Sequence, residues 1–333
     1  MTSFLIATDE AGYGPKLGPL VIAGSLWRLP CDSDSSDSVL EDAFRPLSEP
    51  QRLGGHVLRV DDSKRVFQPG KGLAAMETMV AAGLMQCGVQ ATRLVEVLSE
   101  ICPMDIQSLC ETPWLLQDQA TANLNDPDGL LFRGDGEADA IEGELAKELR
   151  DRWFCNGLDL VAIKTRCVTA RSFNDVCSRG YNKSDLLSML TIELVATLFN
   201  CVPEKETVDV FCDRHGGRRY YAGVLQNQFS DGIVRVVGET KSLSVYEIDQ
   251  GGPSRVHFTV KGDRFTPVAY SSLVAKFLRE RFMEMMNAYF INQMKCDLKP
   301  TAGYPVDAER FLQETEAWRR SKGIEDIDFI RQR

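Results

Sequence analysis

Two neighbouring acidic residues, placed between an apolar run and a segment rich in glycine and proline, constrain this chain more than any other feature. The apolar residues 4–7 predict a buried strand, and residues 12–19 contain three glycines and two prolines, which break regular structure. Asp9 and Glu10 therefore lie where a core strand gives way to a loop. Because neighbouring side chains on a strand point to opposite faces, both acids can serve one site only if the strand ends there.

This acidic pair has two interpretations. Either it belongs to a solvated turn, since charged side chains are mostly exposed, or it binds a hard cation such as Mg²⁺, which uses a few carboxylates and keeps several waters. The adjacent Gly12-Tyr13-Gly14 segment lets the main chain approach a ligand closely. Backbone N–H groups in such a loop can contact a phosphate or a sugar.

The composition is that of an ordinary globular protein. The chain has 333 residues, of which 44% are hydrophobic and 26% charged, and its length is enough for a full core and a second lobe. No apolar run approaches the roughly 20 residues needed to cross a bilayer, and the first residues lack the basic segment of a signal peptide. We therefore expect a cytoplasmic protein with no membrane partner. The ten cysteines include no C-x-x-C pair, so neither zinc nor a disulfide framework is expected.

The formal net charge of −10 bears on the class of partner. A protein that coats nucleic acid generally has a basic excess, so this charge argues against such a role. It is compatible with an enzyme that has a local basic groove around an acidic metal site.

Further polar residues follow predicted strands later in the chain. The apolar run 208–212 ends on Asp213, and a strand-like run leads to Asp263. Asp61-Asp62-Ser63-Lys64 is either a turn or helix cap, or a segment that brings a lysine near a phosphate. His215 is interpreted as a surface histidine, with a part in proton transfer as the alternative.

Taken in order, these segments resemble the motifs of the type 2 ribonucleases H, the ribonuclease HII/HIII family. Residues 9–24 resemble its opening motif, D-E-A-G-R/K-G-P-x-x-G-P-x-x-x-A, except that Tyr13 stands where the family has a basic residue. Asp62-Ser63-Lys64 matches its D-S-K motif. Asp213 matches the third acidic position, V-x-V/I-D-G, although Arg214 replaces the glycine.

The resemblance continues towards the end of the chain. Residues 260–263 resemble the fourth acidic motif, and residues 270–280, which include Lys276, resemble the helix A-A-S-I-x-A-K-x-x-R-D with a spacing one residue short. Residues 302–309 resemble the G-Y-G-T segment, with Tyr304 as its tyrosine and a proline after it.

The resemblance implies a ribonuclease H-like α/β fold, a mixed five-stranded sheet flanked by helices. It covers roughly residues 1–65 and 158–310. We expect a discontinuous catalytic domain of residues 1–72 and 157–290 and a helical C-terminal segment of residues 291–333. Residues 73–156 are expected to form a mainly helical insertion, and residues 232–248, which contain two strand-like runs, a second and smaller one.

The resemblance also implies the roles of individual residues. Asp9, Glu10, Asp213 and Asp263 would be the catalytic residues and would bind Mg²⁺ or Mn²⁺. The Gly12–Gly14 backbone would read the 2′-hydroxyl that distinguishes RNA from DNA. The remaining predicted substrate-binding side chains are Tyr13, Lys64, Lys276 and Tyr304. For Tyr304, which would stack on the substrate, a packed tyrosine is the alternative.

The implied activity is that of a metal-dependent endonuclease. It would hydrolyse the RNA strand of RNA–DNA hybrids, or ribonucleotides embedded in DNA, by a two-metal-ion mechanism. One alternative is a non-catalytic nucleic-acid-binding or assembly protein that retains the fold and uses the inserted helices for a protein partner. Another is a nuclease that acts on other structured nucleic acids.

Overall fold

A seven-stranded mixed sheet lies at the centre of the computed structural model, which describes residues 3–30, 37–61, 73–91, 93–116, 137–249 and 252–332. The strands are β1 (Ser3–Ala11), β2 (Leu20–Arg28), β3 (Gln51–Leu53), β4 (His56–Leu58), β5 (Asp159–Val168), β6 (Thr207–Asp213), β7 (Arg235–Glu239), β8 (Leu243–Asp249) and β9 (Pro253–Thr259). Strands β3 and β4 form a separate hairpin, and the others are ordered β5-β2-β1-β6-β9-β8-β7.

Strand β1 occupies the middle of this sheet. It pairs antiparallel with β2 and parallel with β6, and β6 in turn pairs parallel with β9. The continuous apolar run 4–7 is buried, as is typical of a strand covered on both faces. Because β1, β6 and β9 run in the same direction, residues that follow them gather at one edge of the sheet.

Helices cover both faces of the sheet. They are α1 (Asp37–Ser48), α2 (Ala74–Gln86), α3 (Leu94–Ile101), α4 (Ile106–Cys110), α5 (Glu137–Trp153), α6 (Ala170–Ser178), α7 (Lys183–Phe199), α8 (Ala222–Gln228), α9 (Thr266–Met294), α10 (Pro305–Ser321) and α11 (Asp326–Phe329). Alternate β1 side chains enter different cores: Leu5 and Ala7 join the one that contains α9, and Phe4 and Ile6 join the one that contains α7.

The predicted fold class is confirmed: the sheet is mixed, helices flank it, and helices occupy both the expected insertion and the C-terminal region. The sheet is larger than the five strands expected because β7 and β8, from the second insertion, pair with each other and with β9. Helix α9 runs to Met294, past the expected boundary at residue 291.

The inserted helices share a core with the sheet. Trp153 at the end of α5 packs edge-to-face against Tyr270 of α9, with ring centroids 6.3 Å apart. Tyr270 also packs against Trp27 of β2, at 5.4 Å. The division into domains stays a prediction, since one continuous cluster of buried side chains joins these elements.

Within the described residues, no helix combines the length and the apolar character needed to cross a membrane.

Candidate active site

Asp9 and Glu10 lie near the end of β1, but the strand does not end before them. It continues to Ala11, and Asp9 is opposite Ala23 of β2 in the antiparallel ladder. The expectation that the strand stops at the acidic pair is therefore wrong on the β2 side. On the other side, the parallel ladder with β6 ends at Thr8 and Cys212, so the next residue of each strand is an aspartate: Asp9 and Asp213.

Asp213 is the last residue of β6, as predicted. Its Oδ1 accepts a hydrogen bond of 2.7 Å from the backbone N–H of Gly262, just before Asp263. A Cβ at residue 262 would lie 3.1 Å from the Asp213 Cα, so any other residue there would have to displace the Asp213 backbone slightly. The two loops that carry the third and fourth acids are thereby joined.

Asp263 is not at a strand end, contrary to expectation. Strand β9 stops at Thr259, and Asp263 lies in a short 3₁₀ helix, Gly262–Arg264. The backbone leaves the strand through Lys261, which has a left-handed conformation with φ 62°. The strand pattern in the sequence did not reveal this turn, because left-handed lysines are uncommon.

The carboxyl groups at this edge of the sheet repel one another. Burial raises the pKa of Asp9 to about 7, and the nearby charges of Asp213 and Asp263 add to the increase. Burial and the charges of Asp9 and Asp213 raise the pKa of Glu10 well above its usual range. Within the described ranges, no basic side chain forms an ion pair with Asp9 or Glu10. Asp9 and Glu10 therefore lie among like charges, which raise the pKa of each.

Such a cluster suits a divalent cation by its chemistry. Carboxylate oxygens are the ligands that Mg²⁺ and Mn²⁺ prefer, and a cation would stabilise the ionised form of Asp9, which burial and the neighbouring carboxylates disfavour. In the part of the chain that the structure describes, however, no three His, Cys, Asp or Glu side chains are already gathered as a metal site. The assignment of Asp9, Glu10, Asp213 and Asp263 as metal ligands therefore stays a prediction.

The glycine-rich loop after β1 is closely packed at Gly12 and open to solvent at Gly14. Gly12 has φ +87°, and a Cβ there would lie 2.7 Å from the Pro19 carbonyl oxygen and 2.9 Å from the Arg279 side chain. Gly14 is exposed, and a Cβ there would meet nothing within 4 Å. The backbone around Gly14 is therefore accessible to a ligand.

Tyr13 packs across the loop. Its hydroxyl group lies against Gly216, where a Cβ would be only 2.5 Å away, and close to the Ser184 side chain. The Lys183 Nζ atom lies 4.6 Å from the centre of the Tyr13 ring. Tyr13 thus connects the glycine loop with the loop after Asp213 and with the first turn of α7, and it holds a lysine beside them.

The other predicted substrate-binding residues occupy different surroundings. Tyr304 is 51% exposed and precedes α10, with the Arg279 guanidinium 5.7 Å from its ring centre. Lys276 lies on α9 and donates a hydrogen bond of 2.7 Å to Glu280. Lys64 lies outside the described residues.

Two buried arginines lie under the glycine loop: Arg279, which is the arginine of the matched helix motif, and Arg331. Arg279 donates to the Ala302 carbonyl oxygen at 2.7 Å. The Arg331 side chain donates a hydrogen bond to the Pro15 carbonyl oxygen, and the Arg331 backbone N–H donates one to the Lys16 carbonyl oxygen. Burial and the charge of Arg279 lower the pKa of Arg331 to about 9. No motif marks Arg331 in the sequence, because its role depends on where the C-terminal residues pack.

The interpretation of His215 as a surface residue is wrong. Its side chain is buried, its Nδ1 lies 3.0 Å from the Ser188 Oγ, and it packs edge-on against Tyr221 and Phe258. Burial lowers the pKa of His215 to about 3, so the ring is neutral near pH 7. Through these contacts, His215 packs beneath the loop that follows Asp213 and stabilises it.

No known family profile matches this sequence, and no curated protein matches it either. Ribonuclease H2 from Pyrococcus horikoshii OT3 is 14% identical, with a TM-score of 0.45 over 98% of this chain and 92% of its own. A chain of the PCNA:RNase HII complex from Archaeoglobus fulgidus is 15% identical, with a TM-score of 0.42 over 99% and 94%. Bst-RNase HIII in complex with Mn²⁺ is 11% identical, with a TM-score of 0.40 over 99% and 66%.

These solved structures are ribonucleases of the family that the motifs of this chain resemble. At these identities and TM-scores the similarity carries no argument about activity. The function is therefore argued from this chain's own residues.

Proposed function

We propose that this protein is a divergent type 2 ribonuclease H, a metal-dependent endonuclease that hydrolyses RNA in RNA–DNA hybrids or at ribonucleotides embedded in DNA. The observation that carries the proposal is the acidic cluster beside the Gly12–Gly14 loop. Burial and the charges of neighbouring carboxylates raise the pKa of both Asp9 and Glu10, at the edge where the ladder between β1 and β6 ends. A protein pays a stability cost for such an arrangement, and a catalytic metal site is the usual reason.

In this proposal, Asp9, Glu10, Asp213 and Asp263 hold the cations. Although β1 continues past Glu10, the charges of Asp9 and Asp213 raise the pKa of Glu10, which supports a single site for the neighbouring acids. Bound Mg²⁺ or Mn²⁺ supplies an activated water and stabilises the leaving oxygen in phosphodiester hydrolysis. We expect a bound cation to draw the carboxylates together, because it removes the repulsion between Asp9 and Asp213.

The loop and the exposed tyrosine bind the substrate in this proposal. The accessible backbone near Gly14 contacts the 2′-hydroxyl of the ribonucleotide, which DNA lacks. Tyr304 is exposed enough to stack on a sugar or base. The neighbouring Gly303 connects Tyr304 to the glycine loop, because the Gly303 carbonyl oxygen accepts a hydrogen bond of 2.8 Å from the backbone N–H of Lys16.

The test is cleavage of two labelled duplexes, an RNA–DNA hybrid and a DNA duplex with one ribonucleotide, in Mg²⁺ and in Mn²⁺. We expect cleavage that leaves a 3′-hydroxyl and that Asp213→Asn reduces by on the order of 10²–10³-fold, the equivalent of several kcal/mol of transition-state stabilisation. Folded wild-type protein that cleaves neither duplex in either metal would contradict the proposal.

Lys183 should contribute to substrate binding, since its ammonium group is held over the Tyr13 ring beside the glycine loop. We expect Lys183→Gln to raise KM by roughly 3- to 10-fold with little change in kcat, as for the loss of one phosphate contact. Lys147→Gln, an exposed lysine on α5, is the matched control. Equal KM values for the two variants would show that Lys183 only packs against Tyr13.

A further inference from the structure

Three basic residues come from segments that are hydrogen-bonded to one another next to Asp213 and Asp263, and the second insertion supplies one of these segments. We call Arg219, Lys241 and Lys261 the basic corner. They come from the loop after β6, the turn between β7 and β8, and the turn after β9. These three segments are distant in sequence, so their meeting is a property of the fold.

Hydrogen bonds fix the β7–β8 turn against the loop after β6. The Arg214 guanidinium donates to the Lys241 carbonyl oxygen at 2.6 Å and to the Ser244 Oγ at 3.0 Å. The Ser244 hydroxyl donates in turn to the Arg219 carbonyl oxygen at 2.8 Å. Arg214, which stands where the family has a glycine, therefore holds the β7–β8 turn against the loop after β6.

A second connection joins the same turn to the segment that carries Asp263. The backbone N–H of Val260 donates to the Ser242 carbonyl oxygen at 2.9 Å, which brings Lys241 and Lys261 into adjacent turns. Lys261 is followed by Gly262, whose N–H binds the Asp213 carboxylate. The basic corner is therefore continuous with the acidic cluster.

The charges of the basic corner are available for a ligand. Lys241 and Lys261 are exposed and Arg219 is partly exposed. None of the three forms an ion pair with any residue that the structure describes. In a chain of net charge −10, three adjacent cations without acidic partners favour an anionic ligand.

An aromatic side chain accompanies these cations. Tyr220 is 61% exposed, and the Arg219 guanidinium lies 5.9 Å from its ring centre. Cations that track a backbone next to an exposed aromatic ring are typical of surfaces that bind a nucleic-acid strand.

The backbone of Lys261 makes this lysine simple to test. Its left-handed conformation is strained for any residue with a Cβ, and glycine would adopt it without strain. Lys205 and Lys295 share this conformation, so it serves the design of the experiment and is not itself evidence for a ligand.

We propose that the basic corner binds the phosphate backbone of the nucleic-acid strand on the Asp213 and Asp263 side of the acidic cluster. The inference rests on the proposed function, because it assumes a nucleic-acid substrate. It adds that the second insertion supplies part of a substrate-binding surface, which is locally basic although the whole chain has a net charge of −10.

The experiment compares the binding of a labelled RNA–DNA hybrid by wild type, Lys241→Ser and Lys261→Gly, by fluorescence anisotropy over a series of KCl concentrations in Ca²⁺. Each substitution should weaken binding by roughly 3- to 10-fold and lower the slope of log Kd against log[KCl] by about 1. Lys261→Gly should leave the melting temperature unchanged or raise it, because it also relieves backbone strain.

The chain offers a matched control in Lys205. It is also an exposed lysine with a left-handed backbone, φ 70°, but it precedes β6 at the opposite edge of the sheet. Lys205→Gly should bind the hybrid as wild type does. If Lys241→Ser and Lys261→Gly bind as tightly as Lys205→Gly, the inference is wrong and the proposed function stands. If the wild type binds no hybrid at any KCl concentration, both are wrong.

Discussion

Replacing Asp9 with asparagine should stabilise the metal-free protein at pH 8 and, at the same time, remove its proposed nuclease activity. Burial and neighbouring carboxylates raise the pKa of Asp9 to about 7, so the ionised form that exists at pH 8 destabilises the fold. Asparagine is uncharged, and its Oδ1 can still accept the 2.8 Å hydrogen bond from the Glu10 N–H. We expect a gain of about 1–3 kcal/mol in the free energy of unfolding, measured in EDTA by denaturant titration.

The same shift predicts how stability depends on pH. The folded pKa of Asp9, about 7, lies above its ordinary value of 3.8, so the folded state binds more protons between these two values. In EDTA, the stability contributed by protonated Asp9 is therefore complete below pH 3.8 and is lost as the pH rises through about 7. Asp9→Asn should remove this contribution to the pH dependence, whereas the exposed Asp231→Asn should leave it unchanged.

Added metal should reverse the order of stability of the wild type and Asp9→Asn. Mg²⁺ or Mn²⁺ should raise the melting temperature of the wild type, because it binds only the folded state, and should leave Asp9→Asn nearly unchanged. Activity in Asp9→Asn should fall by on the order of 10²–10³-fold. A variant that is less stable than wild type in EDTA at pH 8 would contradict the acidic-cluster interpretation, and one that keeps its activity would contradict the role of Asp9.

The sequence predicted strands β1 and β6, and the position of Asp213 at the end of β6, because local pattern decides these features. The apolar run before Asp9 and the alternating run before Asp213 form β1 and β6, because buried strands need apolar side chains on the faces they bury. It also placed strand-like runs in residues 232–248, but their pairing with β9 is a long-range contact that no local pattern specifies.

The errors arise where tertiary contacts override local pattern. His215 is buried because Tyr221 and Phe258 surround it, and neither contact is visible from the charged residues next to it in sequence. Arg331 reaches the glycine loop from the other end of the chain. Strand β9 ends at Thr259, and the left-handed turn at Lys261 carries the chain to Asp263 in a way that the residue types do not specify.

Gly12→Ala should cost about 1–3 kcal/mol of stability and reduce cleavage by at least about 10-fold. Alanine at φ +87° is strained, and its Cβ would collide with the Pro19 carbonyl oxygen, which is backbone and cannot move aside easily. The loop would have to shift, and with it the backbone that we propose reads the 2′-hydroxyl. Thermal melts and cleavage of the hybrid by the same preparations measure the two effects.

The Gly14→Ala variant distinguishes an effect on the conformation of the glycine loop from an effect on its contact with the substrate. A Cβ at this position meets nothing within 4 Å, and no left-handed φ is required, so the variant should melt as the wild type does. A substrate that approaches the Gly14 backbone closely would still meet the new methyl group, so we expect KM to rise while stability is unchanged. If Gly14→Ala has wild-type KM and Gly12→Ala is as stable as wild type, the loop neither needs its glycines nor lies against the substrate. The proposed reading of the 2′-hydroxyl would then have to be assigned to other residues.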